Sequence, residues 1–371
     1  MSFNCEIIAD SLSLQGDRLT TFVVTYPRII HSEMCRHRMF SRNTASSRAI
    51  PFKKMVKDVM ENPFIPIAWQ KDHKGMQGTE YFTNENEIAV LKYDWLRARD
   101  EAVDWAKHFS NDGITKQLCN RLLEPFVWVT EIITGTEWAN FFELRCPQYV
   151  VSGYPDGCNP EALEPYEATF RSRKDAIEWL PELENFTETD WLECNESQAE
   201  IHIQKIAELM WDSYNESTPK QLEAGEWHIP FGDKFDLEKL HNQCNKEFGK
   251  EIDKAINYGI KESSSVQEIC VKIATARCAR ISYLNFEGKD DYEADIKLHD
   301  RLKEYEHASP FEHCAKAMTD EEYASFRRGE HSVRLETATP EVYWDIDADT
   351  GESGCCRNFR GFIQYRYLID L

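Results

Sequence analysis

No stretch of this chain holds the roughly 20 consecutive apolar residues that cross a bilayer, so a membrane-spanning helix has no candidate. The opening Met1-Ser2-Phe3-Asn4-Cys5-Glu6 has neither a basic n-region nor an apolar h-region, and a secretory leader is not expected. Twelve cysteines are scattered without a Cys-x-x-Cys pair, and His-Glu-x-x-His is missing. A disulfide framework, a redox dithiol and a structural metal site therefore lose their usual signatures, and no metal is expected. Reduced, mostly buried thiols in a cytoplasmic protein are the expectation. Cys119, Cys270 and Cys278 lie in apolar patterns, and adjacent Cys355-Cys356 reads as packing. Excess positive charge is missing too. The formal charge is -22, which argues against nucleic acid and membrane surfaces as partners. There is no tandem repeat and no low-complexity tract.

What is present suffices for a large core: 42% of the 371 residues are hydrophobic and 12% aromatic. Phe3–Ser13 and Leu19–Thr25 flank Gln15-Gly16-Asp17 and read as a β-hairpin. Helical patterns follow at Ile29–Phe40, Phe52–Met60, Glu85–Phe109 and Ile114–Leu123. Val127–Ile133 reads as a strand, and Thr136 as the N-cap of a helix Glu137–Arg145. Residues 147–195, rich in Pro, Gly, Glu and Asp, read as an acidic insertion with a short helix near Lys174–Leu180. Further helices are expected at Ser197–Tyr214, Asp236–Tyr258, Val266–Tyr283 and Asp291–Tyr305, with loop from Ser217 to Pro230. Ser309–His313 is a turn leading to a strand, Thr319–Gly354 is mostly polar loop, and an aromatic element closes the chain from Asn358. The organisation expected is one catalytic unit, 1–371. Residues 1–146 and 196–215 form the first part of its core, 216–263 a connecting helical region and 264–371 the second part.

One short stretch stands out against the acidic background. Arg36-His37-Arg38-Met39-Phe40-Ser41-Arg42-Asn43-Thr44-Ala45-Ser46-Ser47-Arg48 holds four arginines, a histidine, four hydroxyls and an amide. Cations at a helix C-terminus are favoured by about 0.3–1 kcal/mol each, which accounts for Arg36-His37-Arg38 as a solvated basic face. Hydroxyls, free loop amides and the planar fork of Arg48 instead suit a phosphomonoester. Ser46 as a nucleophile lacks an adjacent activating His–Asp pair, so a binding role is the better reading. Three other constellations read separately as ordinary structure: His307-Ala308-Ser309-Pro310-Phe311-Glu312-His313, Asn140–Arg145 with Arg121 upstream, and Arg357–Arg366. The last, with its Arg-Gly-Phe and following Tyr365, partly matches an RNA-recognition strand, but no second such strand occurs and the net charge opposes it.

Taken together, these segments resemble the flavin-dependent thymidylate synthases. The motif that carries the resemblance is Arg36-His37-Arg38, seven residues, then Ser46, with Ser41, Asn43 and Arg48 in register. Phe22–Pro27, Arg121 with Pro125, Asn140–Arg145, Gln198-Ala199-Glu200-Ile201 and His307–His313 are similar to other parts of that family. The His-x-Ser-Pro-Phe-Glu-His segment normally precedes the Arg-His-Arg motif. Here it follows far downstream, after Arg277-Cys278-Ala279-Arg280-Ile281-Ser282-Tyr283, so the motif order is circularly permuted. The resemblance implies an α/β (α+β) fold with a curved, mainly antiparallel sheet and flanking helices. It also implies a homotetramer with active sites between subunits. The activity implied is reductive methylation of dUMP to dTMP, with FAD as cofactor and NADPH and methylenetetrahydrofolate as co-substrates.

By that resemblance Ser46, Ser47, Arg48, Arg121, Arg145, Glu33 and Thr44 contact dUMP. Arg36, His37, Arg38, Ser309, Asn140, Glu312, Asn358 and Arg360 hold FAD. Arg145 and His307 take part in catalysis. Glu33 and Thr44 depart from the Gln and Glu that the family often has, and Thr134 and Thr136 stand where it tends to have flavin-binding Asn and Arg. Asn358 and Arg360, with Gln364 beyond, are expected to supply those groups instead. Two alternatives stay open: another C5 modification, such as hydroxymethylation, of dUMP or dCMP, and a catalytically dead nucleotide-binding scaffold using 147–195 as its interaction surface.

Overall fold

The computed structural model describes residues 2–74, 78, 80–154, 166–236, 238, 240, 264–281, 291–327 and 358–369. The expected helix Asp236–Tyr258 beyond 240, Ser282-Tyr283, the tract from 328 to 350, Cys355-Cys356 and Arg357 lie outside them. The fold is mixed α/β. Its main sheet has five strands in the order β3-β4-β2-β1-β7. These are β1 Asn4–Leu12, β2 Arg18–Pro27, β3 Ser41–Thr44, β4 Trp128–Gly135 and β7 Lys220–Gln221. All neighbours are antiparallel except the short parallel pair β1/β7. The expected N-terminal hairpin is β1–β2, registered from Asn4↔Thr25 to Leu12↔Arg18 with a bulge between Ile7 and Ala9.

The period of two along β2 sorts its residues between two layers. Phe22, Val24 and Tyr26 face a core shared with Ile133, Trp138, Phe141 and helix α8, Ile201–Glu216, through Ile203, Ile206 and Met210. Val23 faces the other side, where Ile132 meets Phe231, Cys278 and Ile281. Those last two residues belong to α9, Ser264–Arg280, and the residue that follows it. Helices α2 Phe52–Glu61 and α3 Glu85–Asn111 form a separate apolar cluster around Met55, Val103 and Leu123, and α4 Lys116–Arg121 packs against both. Among the described residues no helix is long and apolar enough to cross a membrane.

Several expectations change in detail. Ile29–Phe40 is not one helix: a 3-10 turn Arg28–Ile30 leads into α1, His31–Cys35, and the chain then turns into β3. Ser41–Thr44 is thus an edge strand rather than loop, paired from Ser41↔Thr134 to Thr44↔Glu131. Thr136 is not an N-cap. The helix begins later, as α5 Ala139–Arg145, and the Thr136 hydroxyl accepts from the Arg360 amide at 3.3 Å rather than from a helix amide. Residues 147–195 carry more regular structure than the one short helix expected: the hairpin β5 Tyr149–Gly153 with β6 Tyr166–Phe170, then α6 Arg173–Trp179, where that helix was expected, and α7 Glu188–Glu193. Tyr149, Val151, Ala176, Leu183 and Trp191 give that region its own apolar cluster. It also binds α8, where Trp211 donates from Nε1 to Asp175 at 2.6 Å. The expected loop 217–230 contains β7 and β8, Trp227–His228. The expected polar loop after Thr319 opens with α11, Asp320–Arg327, while α10, Tyr292–Glu304, matches its expected range.

The chain end completes a second sheet, β10-β9-β8, from Phe362–Gln364, Ala315–Ala317 and Trp227–His228. Gly361 makes this possible. Its φ is +76°, and a Cβ there would come within 2.5 Å of Ser13 Oγ on the hairpin turn. The final helix α12 is Tyr365–Leu368.

Candidate functional site

The Arg36–Arg48 stretch is shaped by Arg42. Its Nη1 donates to the His37 carbonyl at 2.7 Å and its Nη2 to the Met34 carbonyl, which also accepts from the His37 amide at 3.4 Å, so a charged donor reinforces the turn that ends α1. Its Nε lies 3.8 Å from Glu131 Oε1, an ion pair without a hydrogen bond. Glu131 is fully buried in β4 and also accepts from Tyr26 and Thr44, each at 2.6 Å. Arg42 is therefore the clamp that folds the motif.

Gly135 fixes the next layer. A Cβ there would meet Phe40 at 2.9 Å, so only glycine lets Phe40 lie against the sheet end. Phe40 stacks on Trp138 with centroids 4.1 Å apart, and Phe141 meets the His37 ring edge-on at 5.0 Å. Held there, His37 accepts from Arg145 Nε at 3.0 Å through its Nε2. Burial, with Arg145 and Arg42 nearby, lowers the His37 pKa to about 4, so the ring is neutral at physiological pH. Arg145 is itself lowered by burial and by neighbouring Arg36, while Glu33 opposes that shift. Arg36, His37, Glu33 and Arg145 thus share one locus, with Arg36 and Arg38 exposed.

On the same sheet edge, β3 packs against the turn Ser309–Glu312. Gln364 Nε2 donates to Ser41 Oγ at 2.8 Å and to the Glu312 carbonyl at 3.1 Å, and Asn358 Nδ2 donates to Ser41 Oγ at 3.3 Å. Asn358, Ser309 and Glu312 are therefore neighbours of β3, the strand that follows the Arg-His-Arg segment, despite their distance in sequence. Burial raises the Glu312 pKa, against the pull of Arg366, which donates to its carboxylate. Arg360 pairs with Glu137 at 2.6 Å, and its backbone amide donates to Thr136 Oγ1 at 3.3 Å. Ser309 and His307 are exposed, whereas His313, at the other end of that segment, is fully buried.

Other expected residues have different surroundings. Ser46 Oγ accepts from the Arg48 amide at 3.3 Å, which closes the loop locally. Ser47 Oγ donates to Glu124 at 2.8 Å, so its proton is already used. Thr44 is likewise committed to Glu131. Arg48 and Arg121 are exposed, and neither guanidinium bonds a described residue. Asn140 is exposed on α5, beside Glu143, which pairs with Arg171. Thr134 does not face the open edge. It belongs to a buried relay in which Ser11 Oγ contacts His228 Nδ1 at 2.9 Å and His228 Nε2 contacts Thr21 Oγ1 at 2.8 Å. Thr21 meets Thr134 at 2.9 Å, and Thr134 meets His313 Nδ1 at 2.8 Å. Burial lowers the pKa values of His228 and His313 to about 4 and about 3.

Sequence reasoning gave Arg42, Glu131 and Glu124 no role. Arg42 carried a usable signal, being an arginine a few residues past a short helix. The carboxylates gave none, because their partners lie on other strands and turns.

Comparison with known proteins adds little. No family model matches the chain, and no curated protein matches it. Two solved structures of the UMP/dUMP methylase PolB from Streptomyces cacaoi, bound with 5-Br dUMP and with 5-Br UMP, are similar at 14% and 15% identity. Each match covers 58% of this chain, and 91% and 90% of the respective PolB chains, with a TM-score of 0.37.

Proposed function

We propose that this chain catalyses flavin-dependent reductive methylation of dUMP to dTMP, with methylenetetrahydrofolate as carbon donor and NADPH as reductant. The observation that carries the reading is the meeting of Arg145 with His37 and Arg36 at one sheet edge, against which the Ser309–Glu312 turn and Asn358 also pack. These are the segments whose resemblance in sequence assigns them to flavin and nucleotide. That edge also exposes Arg36, Arg38 and Arg48 on a chain of net charge -22, and the donor set fits phosphate-bearing ligands.

Bound FAD would supply the hydride chemistry. Arg36, Arg38, Ser309 and Asn358 would hold it, with exposed His307 beside it where folate stacks. Arg48, the Ser46 loop and Arg121 would hold the nucleotide phosphate. Arg145 would stabilise negative charge developing on the pyrimidine carbonyls, which makes C6 electrophilic. His37 is neutral and occupies only Nε, so the Arg145 Nη groups remain for substrate. A homotetramer would complete the site from a neighbouring subunit.

Purified protein given dUMP, methylenetetrahydrofolate and NADPH should form dTMP, and its absorption spectrum should be that of a flavoprotein. No product together with no bound flavin would sink the proposal. Thr44 is tied to Glu131, and Glu33 sets a carboxylate near Arg145, so base recognition would differ from the pattern of the family it resembles. That favours one second reading, a different C5 product or dCMP as substrate, which product mass spectrometry separates.

A further inference from the structure

The first turn after β2 brings together three donor groups that the proposed reaction does not use. His31 and Cys35 stand at i and i+4 of α1 and share a face, and Glu131 reaches them from β4. One donor atom from each lies within 4.8 Å of the others. His31 Nε2 and Cys35 Sγ are 3.6 Å apart. Tetrahedral zinc with bonds of about 2.3 Å to sulfur and 2.0–2.1 Å to nitrogen places those two atoms ~3.6 Å apart.

The hydrogen bonds also settle which ring nitrogen carries the lone pair. Tyr26 has a single phenolic proton and directs it to Glu131 Oε2 at 2.6 Å. Its oxygen must then accept from His31 Nδ1 at 2.8 Å. The proton of neutral imidazole is thereby fixed on Nδ1, and the Nε2 lone pair faces Cys35. A ligating histidine held through its other nitrogen, and a carboxylate held by further partners, is the support that metal sites use. Here Tyr26, Thr44 and Arg42 supply it.

We propose that His31, Cys35 and Glu131 bind one borderline-soft divalent cation of the zinc class, with the fourth position open to solvent. One imidazole, one thiolate and one carboxylate select zinc over magnesium or calcium. Thiolate and carboxylate each bring a negative charge to it, and Arg42 stands beside the carboxylate. Cys35 is exposed, so the open position faces outward. The site is independent of flavin and nucleotide, and its test does not use turnover.

The probe is cobalt(II) added to the chelator-treated full chain, in a Cys355→Ser/Cys356→Ser background that removes the vicinal thiols. One equivalent should bind with a thiolate-to-cobalt charge-transfer band in the near ultraviolet and intense tetrahedral visible bands, and zinc should displace it. Cys35→Ser should abolish the charge-transfer band, whereas Cys5→Ser should keep it. Tyr26→Phe should keep the band and weaken affinity ~10–100-fold, since it leaves all three ligands and removes only the hydroxyl that orients His31 and bonds Glu131. His31→Gln should weaken it further. Circular dichroism confirms that each variant is folded. No charge-transfer band, or a band unchanged by Cys35→Ser, would overturn the proposal.

Discussion

Arg145 donates from Nε to His37 Nε2 at 3.0 Å, tying the end of α5 to the Arg-His-Arg turn. A charged donor meets a neutral acceptor, and the acceptor stays neutral because burial and two arginines hold its pKa near 4. The two residues should act as a unit. On the proposed reaction, Arg145→Ala should lower kcat by roughly 10²–10³, as for loss of a donor aimed at developing charge. His37→Ala should cost less. In the double variant the two effects should fall short of additivity by about 0.5–3 kcal/mol, the coupling expected for residues in contact. Additive effects in steady-state kinetics would separate them.

Arg42 should matter to stability rather than to turnover. It caps the Met34 and His37 carbonyls and faces buried Glu131. Arg42→Lys keeps the charge but cannot span both carbonyls, and hydrogen bonds to a charged group are worth about 1.5–3 kcal/mol each. A loss of that order in urea unfolding is expected. A variant as stable as the parent would refute the clamp.

The hairpin, the long helices and the Ser309 turn were legible because each rests on local pattern: alternation, capping residues and proline. The end of α1 was not. It is decided by Arg42 and by the close approach of Phe40 to Gly135, and neither shows in periodicity. Thr134 and Thr136 were read as gaps to be filled, yet one sits in a buried relay and the other is bonded to Asn358 and Arg360. The resemblance assigned Asn358 and Glu312 to flavin, and the structure sets both beside Ser41. Nothing local in the chain specifies a contact between positions so far apart.

Stability should fall as pH drops from 6.5 toward 4. His228 and His313 are buried and neutral, with pKa values lowered to about 4 and about 3. Between those values and 6.5 the unfolded chain binds the proton and the folded chain does not, so unfolding gains ground as acid is added. Each such histidine contributes a slope of about 1.4 kcal/mol per pH unit in that window. Asp212, pushed up to about 6 by burial, works in the opposite direction and, being only half-buried, offsets part of that slope. Chemical denaturation at pH 7, 6 and 5 should therefore show a net decline. His313→Asn should make it shallower, and a flat profile in the parent would refute the neutral assignment.

Ser47 and Arg48 are adjacent in the chain but should separate by experiment. Ser47 Oγ donates to Glu124 at 2.8 Å, and Asn120 Nδ2 donates to the Ser47 carbonyl at 2.7 Å, so this residue anchors the loop to α4 and the turn after it. Ser47→Ala removes one hydrogen bond and should cost about 0.5–1.5 kcal/mol of stability. A phosphate beside Glu124 would meet a carboxylate, so dUMP affinity should change little. Arg48 is exposed and its guanidinium bonds no described residue. Arg48→Ala should leave stability within about 0.5 kcal/mol, as for most surface changes. Its effect should appear in dUMP binding, where losing a charge-assisted contact costs roughly 1.5–3 kcal/mol, or about 10- to 150-fold in Kd. Calorimetric titration of the two variants reads both numbers. If Ser47→Ala weakens dUMP binding as much as Arg48→Ala does, the nucleotide displaces Glu124. If neither does, the phosphate does not bind on this loop.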